Sequence, residues 1–369
     1  MFSSICIIVI FFVLKTYMND TEINDKRVEG EFKSISFSGY KKSQVRKELL
    51  KNLNDGKIEQ SCYWSAELLC AGHLMELWEI ILLFVSKNIH LGNPRIVIYI
   101  QARYDVFRNI ISNGYVGNEI KIRNNDKARK LFAEIMGILC HSPKKHIFEP
   151  IKLNKEESYD VIHLKERLKA DKITYAQTVY RKDDPKELFI AINEFAYNIS
   201  NKVRNSLNAC YWFEWIAEFE IKCKAKKENC VCERREFAPV EDKYQMDAVW
   251  VIWELILQEG QKKGKFYTKI LETIMQLFSV RYRDTFNKKR RYLMYFAINM
   301  VTEQINESIP MLNKQEHVTM VANKIDDVYK QIKVNEISPG TDYLFRGTER
   351  SNLEKTIQKM DIMNKMTGI

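Results

Sequence analysis

The residues best placed to do chemistry in this sequence are the cations at 281–291. Arg281, Arg283, Lys288, Lys289, Arg290 and Arg291 stand against a single acid, Asp284, and are interleaved with Tyr282, Phe286 and Tyr292. On a helix, Arg283, Asn287 and Arg290 or Arg291 would share one face, while Phe286, Leu293 and Phe296 point elsewhere. Such a face neutralises phosphates without reading bases, so it predicts weak, salt-dependent nucleic-acid binding. A solvated basic face, or one matched to an acidic partner, is the alternative reading of the same pattern.

Thiols come next. Cys223, Cys230 and Cys232 are spaced C-x6-C-x-C amid Lys224, Lys226, Lys227, Arg234 and Arg235. Thiolates in a basic loop acquire a lowered pKa and can hold zinc, but a tetrahedral site needs four ligands and nothing local supplies the fourth. An exposed thiol-bearing loop is the simpler expectation, and zinc is the one cofactor the spacing brings to mind. Cys140, His141 and His146 cluster around Pro143. Adjacent residues rarely face each other as nucleophile and base, so a loop ending a helix is the better account. Glu220-Ile221-Lys222, with Glu214 and Glu218 nearby, has the residue types of a metal-dependent nuclease, but a helical pattern keeps these carboxylates from converging on one cation. Asp183-Asp184-Pro185 reads as a helix start. No catalytic set emerges, and the chain is expected to act by binding.

The elements that must position these residues follow from composition. Among 369 residues there are 13 Gly and 7 Pro but 19 Phe, 18 Tyr and 6 Trp, which excludes collagen-like and wholly disordered chains. With so few helix breakers, a mainly α fold is expected. No apolar run approaches the length of a membrane-spanning helix, so a multi-span protein is excluded. The net charge of +10 is concentrated at 222–235 and 281–291. Cys62, Cys70, Cys140 and Cys210 lie in apolar helical contexts, where free Cys packs as a small hydrophobe, which favours a reducing compartment. The run ICIIVIFFVL at 5–14, closed by Lys15, has three open readings: a signal anchor, an upstream start with Met18 as true initiator, or a packed terminal helix. Membrane association through residues 1–17 belongs to the first.

Residues 19–40 read as a charged, then Ser-rich linker. A first helical unit spans 41–143, beginning near Ser43 and containing two helices broken near Ala71-Gly72. Within it, 96–107 is ambiguous between strand and helix. A polar connection, 144–186, precedes a second helical unit at 187–310 carrying an insert at 221–243, and a helical tail, 311–369, turns at Ser338-Pro339-Gly340. Cys62-Tyr63-Trp64 recurs as Cys210-Tyr211-Trp212, and Trp78-Glu79-Ile80-Ile81-Leu82 as Trp253-Glu254-Leu255-Ile256-Leu257. The two motifs begin 16 positions apart in the first copy and 43 in the second, so the second holds about 27 extra residues, where the insert lies. The pattern predicts two related multi-helix units, with two unrelated aromatic helices as the alternative. Trp212 and Trp215, and Trp250 and Trp253, share helix faces and are expected in the core rather than stacked on bases.

The segment 55–95 resembles the helical collar, or tetramerisation region, of replication-associated recombination ATPases related to clamp loaders. Tyr63, Trp64, Ala66, Leu69 and Gly72, then Ser86, Leu91, Gly92, Asn93 and Pro94, carry the likeness over about forty residues. There is no G-x-x-x-x-G-K-[ST] phosphate loop, and Gly260 to Lys265 has the wrong spacing for one, so the resemblance implies self-association or protein-partner binding of replication-factor type and no ATPase activity. The whole chain, rich in Lys, Ile and Asn and bearing CYWFEWIAEFE at 210–220, is similar to uncharacterised proteins of large nucleocytoplasmic DNA viruses. That similarity implies a cytoplasmic or virion setting, and an accessory or scaffold role in viral DNA replication or assembly.

Overall fold

Apolar residues recurring every three or four positions, with few breakers, dictate helices, and the chain is mainly α-helical. The computed structural model describes residues 21–153, 161–226, 231–283, 289–310, 321 and 324–337. Among them there is no strand, only an isolated bridge between Ile35 and Lys41. The apolar run at 5–14 and the turn at 338–340 lie outside the described residues. No helix among the described residues is long and apolar enough to cross a membrane.

The first unit contains α1 (Lys42–Asn54), α2 (Ile58–Cys70), α3 (Leu74–Phe84), α4 (Ile96–Ser112) and α5 (Asp126–His141). The break between α2 and α3 falls at Gly72, whose φ of 78° is left-handed and costs glycine nothing. The ambiguous run at 96–100 is helical: Ile96, Ile100, Tyr104 and Phe107 are buried at i, i+4 and i+3 spacings that a strand would split between two faces. Asn125 caps α5, its side chain accepting from the Ala128 amide at 2.9 Å.

After a short helix, α6 (Val161–Arg167), the second unit contains α7 (Phe189–Ile199), α8 (Ser206–Lys226), α9 (Val249–Lys263), α10 (Lys265–Ser279) and α11 (Arg291–Thr302). Gly264 alone, at φ 118°, separates α9 from α10. Both units share an order: a leading helix, a Cys-Tyr-Trp helix, a Trp-Glu helix and two more. Four pairings also recur. The Cys-Tyr-Trp helix packs on the leading, the Trp-Glu and the fifth helix, and the fourth packs on the fifth. In the second unit α9 packs in addition on α10 and α11. The fourth helices, α4 and α10, meet each other across the units, and one continuous apolar core runs through both.

The segment expected to be a linker is instead packed. Ile23, Phe32 and Phe37 are buried, and each such side chain removed from water is worth about 1.5–3 kcal/mol. Its serines have a specific use: Ser36 Oγ (2.6 Å), Ser38 Oγ (2.5 Å) and the Ser38 amide (2.9 Å) all donate to the buried carboxylate of Glu67 on α2. The tail contributes α12 (Ile325–Lys333), which seats on α2 and α5 with Tyr329 buried beneath the Arg129 guanidinium, 3.9 Å away. The Lys26 amide donates to the Ile337 carbonyl at 3.0 Å and the Ile337 amide to Asp25 at 2.9 Å, strapping the two segments together.

Candidate nucleic-acid interface

The described residues of the basic run, 281–283 and 289–291, fall after α10 and at the start of α11, while 284–288, with Asn287 of the expected face, lie outside the described residues. Arg281 follows the end of α10 in a left-handed conformation (φ 46°), with its side chain exposed and 3.7 Å from Glu119. Tyr282 turns inward, its hydroxyl donating to Asp247 at 3.0 Å. Arg283 is exposed and precedes the helix, Lys288 lies outside the described residues, and Lys289 is exposed.

Arg290 corrects the one-face expectation. It is 3% exposed, and its guanidinium donates to the carbonyls of Phe278 and Val280 at 2.6 Å and pairs with Glu79 on α3 at 2.5 Å. The carbonyls left over at the end of α10 are thus capped by a buried cation, which has no donor to offer a phosphate. Arg291 is half-buried, 3.5 Å from Glu214.

Of the cations in this run that remain at the surface, Arg281 borders a cleft between the units. About 670 Å³ in volume, it is lined by Tyr104, Asp105 and Arg108 from α4, Gln276 from α10, and Arg281 beyond it. Its floor rests on Trp78, whose ring lies 5.0 Å from Tyr104 and 5.5 Å from Phe107. Burial pushes the Tyr104 hydroxyl above its ordinary pKa, while the positive charges of Arg281 and Arg108 act the other way. Gln101 donates to Asp105 at 3.2 Å, and its carbonyl oxygen is buried without a hydrogen-bond partner. Behind the lining, in the core, Phe278 of α10 lies 5.7 Å from Trp253.

The repeat residues otherwise serve the core. Cys62, Trp78, Cys210, Tyr211, Trp212 and Trp253 are buried, and Tyr63 and Trp64 are half-buried against it. The glutamates that follow the repeat tryptophans were not singled out by sequence, yet both hold buried arginines. Glu254 pairs with Arg235 at 3.0 Å as Glu79 does with Arg290. Arg235 is 0% exposed and also makes a two-pronged bond to Asp184 at 2.7 and 2.9 Å, so Asp184 anchors the insert rather than merely starting a helix. The recurrence of Trp-Glu was the available signal.

The cysteine insert is not an exposed thiol loop. Cys223 and Cys232 are buried, and Cys230 lies outside the described residues. The Cys223 sulfur is in a disulfide bond, so it is no thiolate donor for zinc, and the all-thiol expectation fails there. Burial pushes the Cys232 thiol well up, against the thiolate a metal would need. Among the described residues, no three or more His, Cys, Asp or Glu side chains are grouped to hold a metal ion. Cys140 and His141 do not pair as nucleophile and base: Cys140 meets Ser61 Oγ at 3.5 Å, and His141 Nδ1 lies 2.9 Å from the Gly137 carbonyl. Glu220 faces Asp247 rather than Glu214 or Glu218; Lys224 bridges the two carboxylates at 3.3 and 3.2 Å.

No family model, curated protein or solved structure matches this chain.

Proposed function

We propose that this chain is a non-enzymatic helical interaction protein that binds the phosphate backbone of nucleic acid at the cleft between its two units. The observation that carries the reading is the placement of Arg108 and Arg281 on opposing elements of that cleft, with Arg283 beside Arg281 in sequence. The pairing of Arg281 with Glu119 is exposed and worth about 0–1 kcal/mol, so a phosphate can replace it. Binding through arginine contacts to phosphates is sequence-independent and salt-dependent. The likeness of 55–95 to a clamp-loader-related collar adds protein partners or self-association through the helical units. An accessory role in viral DNA replication or assembly is the setting in which both would be used.

The test is fluorescence anisotropy with a labelled oligonucleotide across a salt series. We expect Arg108→Glu/Arg281→Glu to weaken binding at low salt by about tenfold or more and to lower the slope of log affinity against log salt by about 2. The charge-matched control Lys47→Glu/Lys51→Glu, on exposed positions of α1, should leave both nearly unchanged. Equal effects of the two double substitutions would overturn the site.

A further inference from the structure

The Cys-Tyr-Trp motif places a tyrosine and a tryptophan side by side in each unit, and the two pairs have one geometry. The rings of Tyr63 and Trp64 stand 5.2 Å apart at 82°, and those of Tyr211 and Trp212 5.3 Å apart at 84°. In the second unit a cation completes the arrangement: the Arg167 guanidinium of α6 lies 4.1 Å from the centre of the Tyr211 ring. A guanidinium over an aromatic face is attracted by the ring's quadrupole, and more strongly where water is excluded. Tyr211 and Trp212 are buried there.

In the first unit the matching pair is half-buried and lines a groove of about 670 Å³ between α2 and α12. Its charged lining among the described residues is Glu59, Asp327 and Lys324, two acids to one base, all exposed. Behind the Tyr63 ring lies the buried Glu67 carboxylate. Burial, with that carboxylate's charge, pushes the Tyr63 hydroxyl above its ordinary pKa, so the ring stays a neutral phenol with negative charge at its back. Ile58 and Val328 add apolar wall, against which the methylene stem of a long basic side chain can lie.

We propose that the groove between α2 and α12 is a docking site for an arginine presented by a peptide segment of a protein partner, its guanidinium stacking on the Tyr63–Trp64 pair as that of Arg167 does on Tyr211. Stacking leaves the edge of the planar guanidinium free to donate to the acids of the rim, so the aromatic and the charged lining act on the same group. The site is separate from the nucleic-acid cleft, and either can fail with the other intact.

The test uses the full chain and a fluorescein-labelled peptide amide with the sequence of residues 161–169, VIHLKERLK, which contains the arginine seated on Tyr211. A second peptide replaces that arginine by citrulline, which has the same length and shape without the charge. Fluorescence anisotropy should show saturable binding of the first peptide, weakened about fivefold or more in the second, as expected when a partly desolvated cation is taken from an aromatic face. Trp64→Leu should abolish this preference for arginine. Glu59→Lys, at an exposed position on the rim, supplies the same test should the first variant fail to fold. No saturable binding, equal binding of the two peptides, or an arginine preference unchanged in the folded variant overturns the proposal.

Discussion

Glu79 and Glu254 occupy the same place in the two Trp-Glu repeats, and each holds a buried arginine from a distant part of the chain. Glu79 binds Arg290, which caps the end of α10; Glu254 binds Arg235, which ties the insert to Asp184. Each Trp-Glu pair thus sets an anchoring acid beside a core tryptophan, and the two acids anchor different segments.

The Glu79–Arg290 pair couples the units, and breaking it leaves a charge stranded in the core. Arg290→Met should cost about 3–5 kcal/mol by thermal or denaturant unfolding, and Glu79→Gln/Arg290→Met should recover part of that loss. Arg281→Glu, at an exposed position, should change stability by no more than about 0.5 kcal/mol. Equal losses at Arg281 and Arg290 would contradict their opposite environments.

Gly92 belongs to the collar-like segment, and its importance here is space. A Cβ at this position would lie 2.6 Å from the Pro143 carbonyl oxygen and 2.9 Å from the Lys145 amide nitrogen. Gly92→Ala is expected to destabilise the fold by about 1–3 kcal/mol through forced separation of backbones. Gly30→Ala, where nothing lies within 4 Å, is the matched control in the same unfolding experiment.

His90 is buried, with the Asn299 amide donating to its Nε2 at 3.0 Å, and burial with the nearby Lys145 charge holds its pKa down at about 3. Its contribution is therefore complete above the ordinary histidine value of 6.5 and is lost as pH falls towards 3. Over that window this one group should remove up to about 1.4 kcal/mol per pH unit. His90→Gln should flatten the acid limb of the stability curve by that amount; an unchanged limb would show that His90 is not the group responsible.

Much of the architecture was legible because it rests on short-range periodicity. The helices, the break at Gly72 and the buried faces of Trp78, Trp212 and Trp253 all follow from spacing. The candidate site was legible only in part. Arg281 stands at a cleft, but Arg290 was read as a surface cation because spacing carries no information about Glu79, 211 residues away. Arg108 sits on an ordinary amphipathic helix and acquires meaning only when α10 packs across from it. The serines at 36 and 38 looked like linker residues, since a buried Glu67 is invisible until the chain folds back over α2.

The strap between the two ends of the described chain has a consequence in time. Ile337 meets Asp25 across 312 residues, so Asp25 cannot meet this partner until synthesis has passed the whole of both helical units. Closing so long a loop has an entropic cost that only an assembled body can offset, which makes the strap a late step in folding. A nascent chain arrested before residue 325 would lack α12 and the Tyr329 side chain that seats against Arg129, leaving an apolar face of α2 and α5 open to chaperones while the rest of the molecule is already built.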